Sequence, residues 1–184
     1  MSKSRQNTFT AFLDLLKVKH TNDFSNKFYN EHPHKYNLFG LSKMLSDYEI
    51  ENAGTKIENK ENDIFNVECP FVAHFGGDFV IVKKIDEPLN LSVPQSSDPS
   101  VPQFLSPSIL FIRNGKETNI PVEQFLQSWS GIVLLAETTP NSIEPDYKEH
   151  RKKEFFNIIQ KSIIFLTGIL FSVLHILTMH YIPN

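Results

Sequence analysis

Cys69 and His74 are the residues whose types and spacing come closest to a catalytic pair. They stand five positions apart in "CPFVAHF", and Cys69 is the one cysteine of the chain. A thiolate beside an imidazole is the nucleophile and proton carrier of cysteine hydrolases. The stretch has the composition of a β-strand, however, and an odd spacing places two strand side chains on opposite faces. We therefore expect a small buried Cys69 and a core or edge His74 rather than a catalytic dyad.

Asp78 and a pair of histidines are the other candidates for chemistry. Asp78 follows Gly76 and Gly77 at the start of a strand, where it is either a turn residue or a ligand for the cationic part of a peptide. The favoured interpretation of Asp78 is a turn residue. His32 and His34 lie two apart, and two histidines are fewer than the three or four ligands of a stable metal site. The sequence therefore predicts no metal site and no cofactor.

The elements that must position these residues form an α+β domain, because three helical patterns are followed by strand-like segments. Helices are expected over about 8–19, from 21 or 22 to about 29, over 37–48 with Asn37 as N-cap, and over 121–129. Strands are expected over 54–58, 69–75, 78–85, 108–113 and 130–137. Asn114-Gly115 signals a hairpin, the Pro- and Ser-rich segment 87–107 is expected to be a loop, and Trp129 is expected in the core.

Charge and cysteine content restrict the partners of the chain. It has 184 residues and a formal net charge of −3, and its first half contains no cluster of Lys and Arg. Binding to phosphate backbones needs such clusters, so the sequence predicts no nucleic-acid partner. The single cysteine cannot form a disulfide within the chain, which agrees with a reducing compartment.

The far end of the chain has the composition of a membrane span. The segment "SIIFLTGILFSVLHILTMHYIP" lacks Lys, Arg, Asp and Glu. At a rise of 1.5 Å, about 20 apolar residues cross a hydrocarbon core roughly 30 Å thick, which favours a transmembrane helix over a buried core helix. The predicted organisation is a domain over 1–138, a linker and basic juxtamembrane segment over 139–160, and a transmembrane helix over 161–182. The basic "YKEHRKKEFFNIIQK" places the domain in the cytoplasm by the positive-inside rule, with the lipid bilayer as a partner.

Four stretches together resemble a known family. "KHTNDFSNKFY" stands in the place of a first, catalytic helix, and "NLFGLSKMLSDYEIENAGTKI" has a leucine-rich helix leading into a short strand. "CPFVAHFGGDFVIVKKI" has a Pro–apolar–Ala–His strand and a hairpin, and "RNGKETNIPVEQFLQSWSGIVLLAE" resembles a closing strand introduced by Trp. Over 17–137 the chain thus resembles the papain-like cysteine peptidase domain of bacteriocin-exporting ABC transporters, which cuts leader peptides after a Gly-Gly pair.

The resemblance implies a papain-like fold, with N-terminal helices packed on an antiparallel sheet, but the chain departs from the family at the catalytic positions. The nucleophile position falls within residues 21–24, where there is no cysteine. The histidine position is Asp78, and the orienting Asp-Pro falls at Arg113-Asn114, where only Asn114 could substitute. No glutamine stands at the oxyanion position, near residues 19–20. We therefore expect no catalytic residues, with Asp78 and Asn114 as degenerate positions.

A non-catalytic peptide-binding domain is the function that this pattern favours. In the family, leader peptides are amphipathic helices that dock by apolar anchors in a groove. The residues expected to contact a double-glycine leader here are Phe24, Phe28, Leu38, His74 and Asp78. The protein would act in export or maturation at the bacterial inner membrane, together with an ABC exporter or a thiol oxidoreductase.

Two other functions stay open. "EHPHKYNLFGL" and "IENAG" resemble the variant of the domain that is fused to membrane helices similar to vitamin K epoxide reductase. The alternative is therefore an accessory domain of a membrane thiol oxidoreductase involved in disulfide formation, in which case further membrane helices would follow. A tail-anchored protein is the other possibility for the end of the chain. The third function is an active cysteine peptidase of the bacteriocin-processing type.

Overall fold

The computed structural model describes residues 6–86 and 107–181, with side chains described as far as Thr178. The chain divides into two compact units, Met1–Pro145 and Asp146–Asn184. The segment 87–106, predicted as most of a loop, lies outside the described residues.

Three helices begin the first unit: α1 (Thr8–Leu15), α2 (Asn22–Glu31) and α3 (Leu38–Asp47). Asn7 caps α1 by accepting a hydrogen bond from the backbone N–H of Thr10, and Asn37 caps α3 in the same way, as predicted. α1 ends four residues before its predicted end, because Lys17 adopts a left-handed backbone with φ of 58°. The turn at Lys17 reverses the chain and allows α2 to pack on α1.

The helices pack on a six-stranded antiparallel sheet. Its strands are β1 (Ile50–Lys56), β2 (Phe71–Phe75), β3 (Asp78–Ile85), β4 (Ser108–Arg113), β5 (Lys116–Pro121) and β6 (Trp129–Thr138). Their order across the sheet is β1-β6-β2-β3-β4-β5. Gly76-Gly77 and Asn114-Gly115 make the two tight hairpins, and all four residues have the positive φ that such turns require.

Two apolar clusters fill the two faces of the sheet. α1 and α3 cover one face, where Phe9, Phe12 and Tyr48 pack against Val72 and Ile81. The other face is covered by α5 (Val122–Ser128) and by the short helices α4 (Lys60–Asp63) and 64–66. Trp129 is 1% exposed on this second face, and its indole N–H donates to the carbonyl of Ile132 at 3.1 Å, which confirms its place in the core.

The second unit is the helix α6 (Tyr147–Tyr181). At 1.5 Å per residue a helix of 35 residues is about 52 Å long. It is the one helix among the described residues that is long and apolar enough to cross a membrane, over Tyr147–Thr178. The helix begins at Tyr147, inside the segment 139–160 that the sequence analysis treats as linker and basic flank.

Candidate functional site

The start of β3 holds Asp78 in a fixed position. The two glycines of the β2–β3 turn direct the chain so that Asp78 is the first residue of the strand, paired with Phe75. One carboxylate oxygen, Oδ1, accepts a hydrogen bond of 2.8 Å from the backbone N–H of Phe79. The other oxygen, Oδ2, lies 3.3 Å from Nε of Arg113 at the end of β4. Both oxygens are therefore engaged by hydrogen-bond donors of the protein itself.

The Asp78–Arg113 ion pair lies at the surface rather than in the core. The two side chains are 44% and 40% exposed, respectively. At that exposure water and salt screen the attraction, and such pairs contribute at most about 1 kcal/mol to stability. The pair consequently fixes the orientation of the two side chains more than it stabilises the fold.

Asp78 faces a small cavity that α1 closes. The cavity has a volume of about 90 Å³ and is lined by Thr8, Tyr29, Lys35, Tyr36, Leu41, Gly77, Asp78 and Phe79. Thr8 is the first residue of α1, which packs on β3 and β4. The residue two positions before α1, Gln6, lies against the β4–β5 turn. The two backbones are so close that a Cβ added to Gly115 would lie 2.8 Å from the carbonyl oxygen of Gln6.

The helix start that lines the cavity together with Asp78 is therefore that of α1, whereas residues 21–24, to which the resemblance assigns the nucleophile position, do not line it. Thr21 lies elsewhere and has a structural role, because its backbone N–H and its hydroxyl donate to the carboxylate of Glu144 at 2.6 and 2.8 Å. Thr21 and Glu144 are 2% and 1% exposed. The α1 start could not be recognised from the sequence because Thr8 has no distinctive chemistry and the resemblance begins after it.

Three residues predicted to contact a peptide pack in or beside the core. The rings of Phe24 and Phe28 lie 5.8 Å apart, and Phe28 contacts Phe9 and Tyr48 in the first apolar cluster. Leu38 packs so closely on β1 that a Cβ on Gly54 would lie 2.9 Å from its Cδ2. None of the three lines the cavity at Asp78.

His74 and Cys69 are separated by the sheet, as their odd spacing predicts. Val72, two residues before His74, belongs to the cluster under α1 and α3, whereas Cys69 packs with the cluster under α5. The His74 ring lies 5.3 Å from that of Phe79, and its Nδ1 atom is buried without a hydrogen-bond partner. Cys69 borders an open groove of about 560 Å³ along β1 and β6, and burial raises the pKa of its thiol. A thiol so placed is a poor nucleophile.

Asn114 and the two histidines have local structural positions. Asn114 is exposed in the β4–β5 turn with φ of 51°. Nδ1 of His32 accepts a hydrogen bond of 3.2 Å from the backbone N–H of His34. Within residues 6–86 and 107–181 no group of three or more His, Cys, Asp or Glu side chains is arranged to hold a metal ion.

Two tyrosines line the cavity, and an exposed phenylalanine lies at the start of α3; neither was predicted from the sequence as part of a site. Burial raises the pKa of Tyr29, and neighbouring Tyr36 and the negative charge of Asp78 raise it further. Tyr36, on the segment between α2 and α3, is 79% exposed, and Phe39, in the first turn of α3, is 69% exposed. The ammonium group of Lys35 lies over the Tyr36 ring, 5.1 Å from its centroid. Their only sequence signal was an aromatic residue on either side of the start of α3.

Comparison with known proteins identifies the fold. No protein-family model and no curated protein sequence matches the chain. The peptidase domain of Streptococcus ComA, a bi-functional ABC transporter involved in quorum sensing, superposes with a TM-score of 0.50 and 11% identity, over 72% of this chain and 88% of that domain. A double glycine motif protease from an AMS/PCAT transporter, solved with its leader peptide, superposes with a TM-score of 0.42 and 21% identity over 56% of this chain.

The chain spans 61% of the length of that double glycine motif protease. The N-terminal peptidase C39-like domain of a toxin secretion ATP-binding protein from Vibrio parahaemolyticus superposes with a TM-score of 0.38 and 11% identity, over 74% of this chain and 100% of that domain. These neighbours are C39-like double-glycine peptidase domains of ABC transporters, and the arrangement of helices and antiparallel sheet described above is that of the Streptococcus ComA peptidase domain. The first unit of the chain therefore has the papain-like α+β fold of the C39 peptidases.

Proposed function

We propose that the chain is a membrane-anchored domain of C39 peptidase fold that binds double-glycine leader peptides without cleaving them. The observation that carries the proposal is the Asp78–Arg113 ion pair. Asp78 occupies the position at which the resemblance implies a catalytic histidine, and Arg113 stands at the orienting acid. A guanidinium cannot act as a base, and the Asp78 carboxylate is already engaged by the protein's own donors.

The side chains that line the cavity beside this pair lack the thiol and imidazole of a cysteine peptidase. Cleavage by a cysteine or serine peptidase requires a nucleophile activated by a neighbouring base. Of the side chains that line the cavity, none is an imidazole or a thiol, and the residue at the helix start is Thr8. Cys69 lies under the opposite face of the sheet from α1. The proposal of lost catalysis thus rests on three positions, Thr8, Asp78 and Arg113, rather than on one substitution.

The surface around the cavity is suited to hold an apolar peptide. Phe79 and Leu41 supply apolar walls, Tyr36 lines the cavity and is exposed, and a second exposed ring, that of Phe39, lies in the first turn of α3. Aromatic side chains contribute large contact areas at small entropic cost, and they are frequent hot spots of binding. An amphipathic leader helix could place its apolar anchors on Tyr36 and Phe39 and its Gly-Gly end at the cavity.

Anchoring to a membrane is the second part of the proposal. The apolar portion of α6 is fully exposed within its own unit, including Leu170 and Phe171 at 67% and 72% exposure. An exposed apolar helix of this length is stable in lipid rather than in water. The basic residues before the span favour the cytoplasm as the location of the peptidase-like domain. Flotation with liposomes that withstands alkaline carbonate tests the anchor, and release of the chain by carbonate would contradict it.

Binding and cleavage are tested together on the full chain in lipid nanodiscs. Calorimetric titration with a synthetic double-glycine leader should give saturable binding, and mass spectrometry of the same samples should recover intact peptide. Replacement of Tyr36 and Phe39 by Ala should weaken binding about tenfold or more. Lys27→Ala, an exposed change on α2, is the matched control and should leave affinity unchanged. Cleaved peptide would refute the loss of catalysis, and absence of binding would refute the leader-holding function.

A further inference from the structure

The first turns of α6 carry an excess of positive charge beside the apolar span. Between Tyr147 and the start of the uncharged segment the helix has five basic residues and two acidic ones, Glu149 and Glu154. The basic residues are Lys148, Arg151, Lys152, Lys153 and Lys161. His150 also lies on this stretch. The segment is therefore cationic, although the chain as a whole has a net charge of −3.

Most of these cations are not neutralised by the protein. Arg151 forms an ion pair within the stretch, with Nη1 lying 2.9 Å from Oε2 of Glu154. Lys148, Lys152 and Lys153 are exposed, and no ion pair engages them within the described part of the chain. Three ammonium groups are thus available for an anionic partner.

The spacing places Lys148 and Lys152 on one side of the helix together with two aromatic rings, and Lys153 lies about 100° around the helix from Lys152. Lys148, Lys152 and Phe156 follow one another at intervals of four, and Arg151 and Phe155 do the same one position earlier. Residues three or four apart on a helix are neighbours on its surface. Phe155 and Phe156 are 58% and 57% exposed, and their centroids lie 6.4 Å apart. This side of α6 therefore has a basic turn followed by an aromatic turn.

The distances along the helix bring the basic turn to the level of lipid headgroups. The uncharged residues 162–181 extend over about 30 Å, the thickness of a hydrocarbon core. Lys153 is nine residues from that segment, or about 13 Å along an upright helix, and the usual tilt reduces its height above the membrane. Headgroups occupy roughly 5–7 Å of that distance, and the remainder is within the Debye length of about 8–10 Å. Lys152 and Lys153 are consequently close enough to feel the surface potential of an anionic leaflet, and Lys148, about 21 Å from the segment on an upright helix, stands one turn further out.

We infer that the basic–aromatic turn of α6, formed by Lys148, Lys152, Lys153, Phe155 and Phe156, is a binding surface for anionic phospholipid headgroups. The inference rests on the proposed membrane anchor, since the same helix provides both. The lysines attract phosphate groups of the leaflet, and the two rings, six and seven residues from the uncharged segment, lie along the helix between the lysines and the hydrocarbon core. Charge complementarity and continuity with the span select lipid as the occupant.

The test measures lipid selectivity of the full chain reconstituted in phosphatidylcholine bilayers. Spin-labelled phosphatidylglycerol and spin-labelled phosphatidylcholine are compared by the fraction that is motionally restricted at the protein. We expect the chain to retain the phosphatidylglycerol label about threefold more strongly, and raising the salt to about 1 M should reduce this ratio to nearly one, because the Debye length falls to about 3 Å. Equal retention of the two labels by a chain that is properly inserted would overturn the inference.

Matched variants separate the basic turn from the total charge. Lys148→Gln, Lys152→Gln and Lys153→Gln combined should abolish the selectivity, while Lys27→Gln, Lys43→Gln and Lys116→Gln, on exposed sites of the first unit, should keep it. Equal loss in both triple variants would attribute the effect to net charge and overturn the inference. Carbonate-resistant flotation is measured on every sample. A chain that fails flotation refutes the membrane anchor, whereas a chain that floats without selectivity refutes the headgroup site alone.

Discussion

Nε of Arg113, at the end of β4, lies 3.3 Å from Oδ2 of Asp78, at the start of β3. The pair joins the adjacent strands β3 and β4 beside the cavity that Thr8 lines. The resemblance implies a histidine at the position of Asp78 and its orienting acid at the position of Arg113, where this chain has an acid and a permanent cation. An ion pair of this kind supplies no imidazole to carry the proton. The two side chains are complementary in charge.

The ion pair should contribute little to stability. Because both side chains are partly exposed, we expect a coupling of about 0.2–1 kcal/mol in a double-mutant cycle of Asp78→Ala and Arg113→Ala, followed by urea unfolding. The cross-strand pair Lys83–Glu117, with 2.7 Å between Nζ and Oε1 and similar exposure, is the control and should give a value in the same range. A coupling several times larger for Asp78–Arg113 would show that the pair is a structural requirement of the fold.

Reintroducing catalytic groups should create a reactive thiol at the start of α1. In a Cys69→Ser background, Thr8→Cys combined with Asp78→His should react with iodoacetamide roughly tenfold faster at pH 6.5 than Thr8→Cys alone. A helix N-terminus and a nearby imidazolium both lower the pKa of a thiol. Thr21→Cys with Asp78→His is the matched comparison, because Thr21 lies against Glu144. Equal acceleration at both positions would contradict the placement of Thr8 beside Asp78.

Much of the fold could be predicted from the sequence, and the candidate site only in part. The hairpin at Asn114-Gly115 and the cap at Asn37 depend on local chemistry that a sequence displays. The placement of Thr8 beside Asp78 depends instead on how α1 crosses β3 and β4, which is a long-range packing result. For the same reason the sequence could not show that Phe24 and Phe28, both on α2, pack beside the core rather than line a groove.

The buried carboxylate of Glu144 should be a strong determinant of stability. It accepts hydrogen bonds from the backbone N–H and hydroxyl of Thr21 at the start of α2, and Ser25 Oγ lies 3.4 Å from its Oε2. Glu144→Ala leaves these buried donors without their acceptor, and we expect a loss of about 2–3 kcal/mol in the free energy of unfolding. Glu137→Ala, an exposed change on β6, should alter it by less than about 0.5 kcal/mol. A loss at Glu144 no larger than the loss at Glu137 would contradict the buried network.

Alkaline pH should destabilise the domain through its buried tyrosines. Burial is the largest cause of the raised pKa of Tyr48, and the negative charge of Glu144 adds to it, while the neighbouring Ser25 hydroxyl partly offsets the two; burial also raises the pKa of Tyr29. Above a pH of about 10 the unfolded chain loses these protons while the folded chain retains them. The folded state then binds more protons than the unfolded state, so the free energy of unfolding falls as pH rises. Below that pH these groups contribute no slope.

Denaturant unfolding at pH values from about 8 to 11 measures this loss, and Tyr48→Phe isolates the larger contribution. The variant should unfold with a shallower decline above a pH of about 10, because Phe has no proton to release. Tyr36→Phe is the matched control, since Tyr36 is 79% exposed and should leave the decline as it is in the wild type. A decline equally steep in Tyr48→Phe and the wild type would assign the alkaline loss of stability to other groups.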